Sequence, residues 1–494
     1  MLIHKTGNRM RKQLVIIGLR LICGMSLAQN ETDAFRYSQY SPTGTARYSS
    51  LSGAIGAFGA DFTGLSANNP AGLGVYKKSE ITFTFAVPYN KITSTYNGEQ
   101  SSEVKYGFTF NNLGFVFSFS NSDPKWKKVQ FATGLNNLAR YKGISFVSGP
   151  NIGGEQGTTN FFDYVAESSN GKIPDLLQGI EGGAYDFYLT DLKQGETDQY
   201  YSMVGAQFYQ QEIIKTDGYL NEYIFSLGSN YDDKIFLGAT IGIPFFSYVQ
   251  EATYTESRNG FYDTLIAYNR FTSRATGVNL KLGIIYQPAK FIRVGAAVHT
   301  PTFYPNVKER YENYIDIPVV YYDTIIYRPP LYEGQGSFNY QLVTPYHAIA
   351  NVAFIFKNIG FLNIDYDFTD YSTSRMPAVS SYSFKNENKA IGEHYQGVHT
   401  IRAGGEVNIS SHVSLRLGYS YSTNPYKKLA KDGTYQTFSG GIGYKSKIFF
   451  ADFAYMYKYF NDKEVFYNYN AESLYPYTSR IVNQVFALTF GFKM

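Results

Sequence analysis

Residues 481–493 read IVNQVFALTFGFK, and this stretch decides the fold class. Bulky apolar side chains recur at every second position, with Gln484 as the exception, and the positions between them are small or polar. The apolar set is Val482, Phe486, Leu488, Phe490 and Phe492, and the other set is Asn483, Ala487, Thr489 and Gly491. A period of two is that of a β-strand with an apolar medium on one face only.

Thirteen further segments upstream show similar patterning, and the lengths of their connections indicate how they are arranged. Short turns join the second strand to the third, the fourth to the fifth, and so on, whereas the connections between these pairs are mostly longer, above all 148–221, 310–335 and 374–393. An even strand count with short turns at one end and long loops at the other is typical of outer-membrane barrels. A propeller would instead repeat every 40–50 residues or so, and no such period is found. The fourteen predicted strands are 79–96, 106–120, 127–147, 222–230, 234–256, 271–287, 290–309, 336–356, 359–373, 394–409, 411–423, 433–445, 447–461 and 478–493.

The composition supports a membrane protein without proving it. Charged residues make up 17% of the 494 residues and aromatic residues 18%, with 47 Tyr, 39 Phe and one Trp. Soluble proteins carry about 25% charged residues, whereas abundant Tyr and Phe suit strands that face lipid. A Tyr-rich soluble β-protein, such as a propeller or a glycan-binding sandwich, stays open on composition alone. The net charge of +4 and the lack of a basic tract predict no nucleic-acid binding.

Residues 1–28 have the pattern of a secretory signal peptide. Residues 5–12 carry positive charges, residues 14–22 are mainly apolar, and Ser26-Leu27-Ala28 is a small-x-small cleavage site. The apolar run is far shorter than the roughly 20 residues that a membrane-spanning helix needs. The single cysteine, Cys23, lies in this segment, so the exported chain would contain no thiol, which fits an oxidising compartment.

The end of the chain also fits the cell outer membrane of a Gram-negative bacterium. The last predicted strand ends in an aromatic residue, Phe492, as in the signal that outer-membrane barrels present to the barrel-assembly machinery, although Lys493-Met494 follow it. We therefore expect an all-β protein: a transmembrane antiparallel β-barrel of about fourteen strands in the lipid bilayer, present as a monomer.

Charged residues occupy the positions that alternate with the outward-facing apolar ones. Because an isolated charge inside a narrow barrel is costly, their mixed signs predict a salt-bridged lumen network around a plug. An aqueous porin that lines its pore with both signs is the alternative, although fourteen strands make a barrel narrower than the 16 to 18 of open porins. The predicted network is Asp365, Asp367, Arg402, Glu406, Arg416, Asp452 and Lys458.

Residues 29–78 lack alternation and are rich in Gly, Ala, Ser and Asn, so we predict a small N-terminal hatch inside the barrel of residues 79–494. Residues 52–74, SGAIGAFGADFTGLSANNPAGLG, resemble the hatch of the FadL/TodX family of outer-membrane transporters of hydrophobic compounds. Asn69-Pro70-Ala71-Gly72 matches the Asn-Pro-Ala motif of that family. Residues 346–371 also resemble the version found in Bacteroidetes-type members.

The resemblance implies a barrel of fourteen strands occluded by the hatch. It also implies that a hydrophobic small-molecule ligand is captured among extracellular loops and released sideways through a kinked third strand. Gly134, Asn136 and Asn137 are the candidates for this lateral-gate kink, because Gly and Asn sustain a ladder poorly. A bulge of the kind common at barrel rims is the alternative.

The long connection 148–221 is the candidate ligand-capture loop. It carries an apolar set on a surface that should face water, which could line a groove for an acyl chain or an aromatic ring. Alternatively, the same residues could pack the loop into a lid. The set is Phe161, Phe162, Ile173, Leu176, Leu177 and Ile180.

No catalytic or metal-binding motif is recognised, so we predict no enzyme and no cofactor. HExxH and Gly-x-Ser-x-Gly motifs are absent, and His299 and His347 are interpreted as structural residues. The expected function is uptake of hydrophobic compounds, with long-chain fatty acids or similar lipophilic molecules as the first candidates. Two alternatives stay open: a haemin or porphyrin receptor, although no clustered His or Tyr-His motif dictates iron ligation, and a shuttle or interaction component of protein secretion.

Overall fold

The structure is a computed structural model that describes residues 31–151, 160–204, 208–257, 264–316, 319–321, 324–326, 332–380, 382–427, 431–466 and 476–494. The predicted signal peptide, residues 1–28, lies outside the described residues. Six short α-helices are present in the described part: α1 Glu31–Arg36, α2 Ala46–Ser50, α3 Gly64–Ala67, α4 Phe161–Ser169, α5 Gly179–Asp186 and α6 Lys385–His394. Three 3₁₀ helices accompany them: Pro70–Val75, Pro174–Leu176 and Tyr371–Thr373. Among these helices none has the length and hydropathy needed to cross a membrane.

Strands dominate the chain from residue 80 onward. In chain order they are β1 Glu80–Tyr96, β2 Glu99–Tyr106, β3 Thr109–Ser120, β4 Trp126–Arg140, β5 Gly143–Pro150, β6 Thr190–Leu192, β7 Tyr200–Ser202, β8 Tyr209–Tyr231, β9 Ile235–Ser257, β10 Thr264–Thr276, β11 Asn279–Ala289, β12 Ile292–His299, β13 Phe303–Asp316, β14 Val319–Tyr321, β15 Thr324–Ile326, β16 Tyr332–Val343, β17 His347–Phe356, β18 Gly360–Asp370, β19 Gly397–Asn408, β20 Val413–Ser422, β21 Tyr435–Lys445, β22 Phe449–Glu464 and β23 Tyr477–Lys493.

Nineteen of these strands form one closed antiparallel barrel of fourteen spans, which confirms the predicted fold class. Five spans consist of two strands separated by a short break: β2 with β3, β4 with β5, β10 with β11, β12 with β13, and β16 with β17. The barrel closes where β1 pairs with β23, from Glu80↔Lys493 to Thr95↔Thr478. The remaining strands form two small hairpins outside the barrel, β6 with β7 and β14 with β15.

Proline explains two of the five breaks. Pro301 lies between β12 and β13, and Pro345 lies between β16 and β17. Proline has no N–H for a ladder and is therefore confined to edges and interruptions of a sheet. The two breaks face each other, because the Thr302 amide donates to Thr344 Oγ1 at 2.9 Å.

The lengths of the connections divide the barrel into two different ends. Residues 121–125, 232–234, 290–291, 357–359, 409–412 and 446–448 make the short turns, and both ends of the barrel sequence lie at this short-turn end. The long connections 151–208, 317–331 and 371–396 lie at the opposite, long-loop end.

The predicted loop 148–221 was too long at both ends. β5 continues to Pro150, and β8 begins at Tyr209, so the connection is 151–208. Residues 209–221 are paired with β9 throughout, although most of them are polar. A strand that extends beyond the apolar surroundings of a membrane no longer needs an apolar residue at every second position. The sequence pattern of this segment therefore predicts a loop, although the segment is a strand.

Alternation along the strands gives the barrel its apolar outer face. In β23, Phe486, Leu488 and Phe492 are 41%, 39% and 43% exposed, whereas Ala487 and Thr489 are each 1% exposed. The apolar set of residues 481–493 therefore faces outward, and the small set faces the lumen.

Candidate functional site

The predicted motif Asn69-Pro70-Ala71-Gly72 fastens the hatch to the inner face of the wall. Asn69 caps the 3₁₀ helix Pro70–Val75, because its Oδ1 accepts a hydrogen bond from the Ala71 amide at 3.0 Å. Its Nδ2 donates to the carbonyl oxygens of Ile284 and Ala296, at 3.2 and 3.3 Å, and to Asn351 Oδ1 at 3.2 Å. One side chain therefore ties the hatch to β11, β12 and β17.

Glycines in the wall let the hatch backbone approach closely. A Cβ on Gly238 would lie 2.2 Å from the Pro70 carbonyl oxygen, and a Cβ on Gly283 would lie 2.0 Å from Asn69 Oδ1. Inside the hatch, Gly72 packs against Gly59, where a Cβ would lie 2.8 Å from the Gly72 Cα. A side chain at these positions would displace the hatch.

Asp365 anchors the hatch through neutral donors only. Its Oδ2 accepts hydrogen bonds from the backbone amides of residues 55 and 56, both at 3.0 Å, and from Asn68 Nδ2 at 2.9 Å. Its Oδ1 accepts from Asn351 Nδ2 at 2.8 Å and from Asn363 Nδ2 at 2.7 Å. The expectation that this residue pairs with a lumen arginine was wrong, because amides take every bond that the described structure gives its carboxylate.

Five of the other predicted network residues form two ion-paired clusters. In the first, Glu406 receives Arg47 Nε at 3.0 Å and Arg416 Nε at 2.7 Å, and Arg416 Nη1 also reaches Asp452 at 2.6 Å. In the second, Asp367 receives Arg402 Nη2 at 3.1 Å and His347 Nδ1 at 3.3 Å. Arg47 belongs to the hatch and was not predicted, because nothing in its local sequence indicates a partner in β19.

Lys458 stands apart from these clusters. Its Nζ lies 3.8 Å from the ring centroid of Tyr435 and 5.6 Å from that of Phe460. No carboxylate in the described part of the chain pairs with it, so it does not belong to the network in which the sequence placed it.

A buried ion pair escaped the sequence analysis altogether. Lys281 Nζ lies 2.5 Å from Glu222 Oε2, and the two side chains are 2% and 0% exposed. Close by, His299 Nε2 bonds to the Asn68 carbonyl at 2.8 Å, while His347 Nδ1 bonds to Thr369 Oγ1 at 2.8 Å. Both histidines are therefore hydrogen-bonded beside the hatch.

Gly134, a predicted kink residue, lies in a regular part of the wall. It pairs with Gly114 of β3 and with Ile224 of β8. A Cβ there would lie 2.1 Å from the Leu113 carbonyl oxygen and 2.7 Å from Cζ of Phe62 in the hatch. Gly134 therefore provides space for the hatch, and the predicted kink does not occur at this residue.

The register of the third span shifts near the start of β4, between Trp126 and Lys128, and again just beyond Gly134, at Leu138. The pairing of β3 with β4 ends at Asn112↔Asn136, and the register of β4 against β8 shifts between Asn137 and Ala139. Leu138 is thus the extra residue of a bulge. Asn137 Nδ2 stabilises the bulge by donating to the Ala139 carbonyl at 3.0 Å.

Beyond the bulge, the wall is no longer joined by a backbone ladder. β2 pairs with β1 alone and β5 pairs with β8 alone, and both strands are described in full. We call this interface between residues 99–106 and 143–150 the seam. Hydrogen bonds from side chains to backbone carbonyls cross it or flank it: Asn97 Nδ2 to Pro150 at 3.0 Å, Ser101 Oγ to Phe146 at 2.8 Å and Arg140 Nη2 to Phe110 at 3.0 Å.

A packed cluster of buried apolar side chains, which we call the aromatic chamber, lies in the lumen. The segment around α1 fills it, because the Tyr37 ring stacks on Phe246 at 3.9 Å and the Phe35 ring stacks on Tyr395 at 4.8 Å between centroids. Leu138 of the bulge belongs to the same cluster, so the chamber extends to the part of β4 that precedes the seam. Its buried members include Phe35, Tyr37, Leu138, Phe246, Tyr248, Phe271, Tyr304, Tyr340, Leu342, Phe384 and Tyr395.

The described part of the candidate capture loop folds into a lid that shares an apolar core with strands β9, β10 and β13 of the barrel. Phe161 and Phe162 are 0% exposed in that core, and Ile180 packs at its edge. The Phe161 amide donates to Glu256 Oε2 of β9 at 3.2 Å, which fixes the start of α4. The two phenylalanines therefore hold the lid together rather than line a groove.

Other residues of the capture set remain on the surface of the lid. Ile173 and Leu176 are 47% and 63% exposed, and Leu177 is half-buried. Within the set, Ile173 and Leu176 are thus the residues most exposed on the surface of the lid.

Below the hatch, at the short-turn end, the wall encloses a cavity of about 530 Å³. Charges of both signs line it, among them Arg47, Arg293, Asp61 and Glu406. Burial raises the pKa of the Asp61 carboxyl, and a hydrogen bond from Thr45 Oγ1 at 2.7 Å opposes that shift. The hatch therefore has a polar cavity on one side and the aromatic chamber on the other.

Comparison with solved structures shows that the fold is that of the FadL/TodX transporters, as expected from the sequence. A Pseudomonas aeruginosa FadL homologue is 15% identical, with a TM-score of 0.58 over 92% of this chain and 99% of that chain. The P. putida toluene transporter TodX is 11% identical, with a TM-score of 0.54 over 92% and 99%. The Ralstonia pickettii toluene transporter TbuX is 14% identical, with a TM-score of 0.50 over 92% and 99%. No protein-family model and no curated protein matches the sequence.

Proposed function

We propose that the protein takes up hydrophobic compounds across the outer membrane, receives them at the long-loop end and releases them sideways into the bilayer through the seam. The observation that carries this proposal is the missing ladder between β2 and β5, next to an apolar chamber that includes Leu138. In outer-membrane barrels the long loops are extracellular and the short turns periplasmic.

The physical reason is the free-energy cost of backbone groups that lack hydrogen-bond partners in lipid. Backbone N–H and C=O groups at membrane depth need partners inside the protein. Over the seam, side chains such as Asn97 and Ser101 supply partners for backbone carbonyls. A boundary held by side chains can separate without dismantling a ladder, which makes it the weakest part of the wall.

The hatch gives a second line of support. Straight passage to the short-turn end is closed by a plug that Asn69 and Asp365 bind to the wall. A ligand that displaces the segment around α1 from the aromatic chamber therefore meets an obstructed path below and a separable seam nearby. Sideways release needs no displacement of the buried polar contacts.

For the ligand, we propose long-chain fatty acids or similar lipophilic molecules, taken up by a monomer without a cofactor. An apolar chamber and exposed apolar residues on the lid, Ile173 and Leu176, support a hydrophobic ligand. The similar solved structures include proteins named as toluene transporters. Haemin uptake and a role in protein secretion stay predictions, and no described contact favours either.

A disulfide across the seam tests the proposal. A Cβ on Gly149 would lie 3.7 Å from the Glu99 Cβ, within the 3.5–4.5 Å or so that disulfides need. The only native cysteine, Cys23, lies in the predicted signal peptide. For Glu99→Cys with Gly149→Cys, expressed in a strain lacking the native gene, we expect oxidation to lower the initial rate of radiolabelled palmitate uptake at least about tenfold, and reduction to restore it.

The two single-cysteine variants are the matched controls, and Gly149→Cys alone also controls for the nearby Tyr96 ring. Heat-modifiable mobility in SDS gels shows whether each barrel is assembled. Full palmitate uptake through a quantitatively cross-linked seam would exclude release at this place.

A further inference from the structure

A cluster of positive charges lies on the outer face of the barrel near the long-loop end. Three pairs of side chains from β10 and β13 lie opposite each other there: Arg270↔Glu312, Thr272↔Arg310 and Arg274↔Lys308. They point away from the lumen, because Phe271 and Ser273, which alternate with them in β10, are buried. We call the four cations the basic patch: Arg270, Arg274, Lys308 and Arg310.

Carboxylates pair with only one half of the basic patch. Glu312 lies 2.9 Å from Arg310 and 3.9 Å from Arg270, measured between the nearest side-chain N and O atoms. Glu251 of β9 lies 3.4 Å from Arg270. These two carboxylates therefore belong to the two arginines nearer the long-loop end.

The other half of the patch, Arg274 and Lys308, has no partner of opposite charge among the described residues. Both side chains are exposed and lie directly opposite each other. Like charges in this position destabilise a sheet. On the neighbouring β8, Lys215 and Asp217 add one charge of each sign and so leave the excess unchanged. An anion from outside the protein would relieve this repulsion.

The basic patch lies at the edge of the apolar outer face. In the same span, formed by β10 with β11, the side chains of Val278, Leu282 and Tyr286 are exposed. From Val278 to Tyr286 the span rises by roughly 20 Å at the usual tilt of a strand, which is most of the apolar band of about 25 Å that such barrels present to lipid. Arg274, the next charged residue toward the long-loop end, therefore lies where the lipid headgroups of the outer leaflet begin.

A small cavity within the patch has the chemistry to hold an anionic group. It measures about 190 Å³ and is lined by Arg270, Thr272, Arg310 and Glu312. Arg270 Nε is buried and has no hydrogen-bond partner in the described structure. Because guanidinium groups bind phosphate oxygens through paired hydrogen bonds, the two arginines of this cavity suit a phosphate group.

An aromatic pair lies beyond the patch. Tyr268 and Tyr314 are opposite each other, two residues closer to the long-loop end than Arg270 and Glu312, and their rings stack at 5.2 Å between centroids. Tyrosine combines an apolar ring with a polar hydroxyl, which suits the mixed surface of a sugar. Apolar side chains, cations and tyrosines therefore follow one another along the outer face in the order of acyl chains, phosphates and sugars.

We propose that the basic patch binds the phosphate groups of a phosphorylated glycolipid in the outer leaflet of the outer membrane. Arg274 and Lys308 bind a phosphate at the edge of the apolar face, the cavity beside Arg270 binds a second, and the tyrosine pair contacts the sugar. A soluble anionic partner would use the cations but not the apolar face next to them. The inference depends on the orientation of the barrel and not on its transport activity.

Binding of lipid A with and without its phosphates tests this proposal. The full chain, purified in detergent and freed of lipid, is titrated with diphosphoryl lipid A or with the same lipid after enzymatic removal of both phosphates. Native mass spectrometry measures the bound fraction. We expect the wild type to bind the phosphorylated form at least about tenfold more tightly, as charge-assisted hydrogen bonds imply. Arg274→Gln with Lys308→Gln keeps long polar side chains but removes both unpaired charges, and should abolish most of this difference.

Lys290→Gln with Lys447→Gln is the matched control, because both lysines are exposed in short turns at the opposite end of the barrel. This variant loses the same charge and should bind lipid A like the wild type. Heat-modifiable mobility in SDS gels shows whether each variant is assembled. Phosphatidylglycerol, which has a phosphate but no sugar, should bind more weakly than diphosphoryl lipid A. Tyr268→Leu with Tyr314→Leu should weaken binding of lipid A severalfold and leave that of phosphatidylglycerol unchanged.

Two results would overturn the proposal: equal affinity of the wild type for the two forms of lipid A, or an unchanged difference in Arg274→Gln with Lys308→Gln. Phosphatidylglycerol bound as tightly as lipid A would indicate a site for anionic lipids in general and would exclude a glycolipid site. The variant with the cross-linked seam should bind lipid A like the wild type, so the outcome of the uptake experiment does not affect this test.

Discussion

At the scale of single residues, the hatch fits against the wall because glycines leave space where other side chains would lie. Asn69 reaches the backbone of β11 through space that the missing side chain of Gly283 leaves open. Asp365 of the wall accepts three hydrogen bonds from the hatch, and Arg47 of the hatch forms an ion pair with Glu406 of the wall. The hatch is therefore held in the barrel both by close packing of its backbone against the wall and by buried polar contacts.

Gly283→Ala should loosen the hatch. The new Cβ would lie 2.0 Å from Asn69 Oδ1, so Asn69 must move and lose its bonds to the Ile284 and Ala296 carbonyls. Overpacking of this kind costs about 1–3 kcal/mol. We expect a lower Tm and a several-fold higher ion conductance in planar bilayers. Gly405→Ala is the control, since its nearest atom, the Phe361 carbonyl oxygen, is 3.5 Å away; equal conductance in the two variants would contradict the prediction.

At this scale, the sequence reveals features formed by adjacent residues but not contacts between residues that are distant along the chain. Asn69-Pro70-Ala71-Gly72 is recognisable because it matches a motif made of adjacent residues. The pair of Lys281 with Glu222 was missed because 59 residues separate them and only the intervening β9 brings their spans together. Likewise, no local pattern distinguishes Lys458, which has no carboxylate partner among the described residues, from Arg416, which has two.

At the scale of elements, the third span shows where composition misleads. Gly134 and Asn136 are poor strand formers, yet both lie in regular pairs next to the hatch. The bulge occurs at Leu138, a residue whose type gives no such indication. Its cause is tertiary: the Leu138 side chain is buried in the aromatic chamber, and its carbonyl accepts the Ser41 amide of the hatch segment at 2.8 Å.

Deletion of Leu138 should close the seam. Without the extra residue, Ala139 would follow Asn137 in continuous register with β8, and β5 could approach β2 closely enough to pair. We expect palmitate uptake to fall severalfold, and those amides of residues 99–106 that point away from β1 to become protected against hydrogen exchange. Leu138→Ala keeps the bulge and removes only the side chain, so it should leave those amides unprotected. Unchanged exchange after the deletion would show that the bulge does not hold the seam open.

At the scale of the whole molecule, the count of spans and the difference between the two ends were predictable from the sequence. Both follow from features repeated along the chain, the period of two and the length of each connection, so the misassignment of residues 209–221 does not alter them. What fills the lumen depends on closure of the barrel, which brings β1 to β23 and places α1 in the aromatic chamber. No repeated feature of the sequence encodes that arrangement.

If the outer face of the barrel contacts lipid, substitution by arginine should have different effects on stability at two exposed leucines. Leu417 is 74% exposed in the middle of β20, and Leu176 is 63% exposed on the lid. Arginine on the lipid face near the middle of a span costs ~2–4 kcal/mol, whereas a surface substitution in water changes stability by about 0.5 kcal/mol or less. We therefore expect Leu417→Arg to lower the free energy of unfolding from lipid vesicles, measured by urea titration with gel mobility, and Leu176→Arg to leave it nearly unchanged. Equal effects of the two would mean that the apolar outer face of the barrel does not contact lipid.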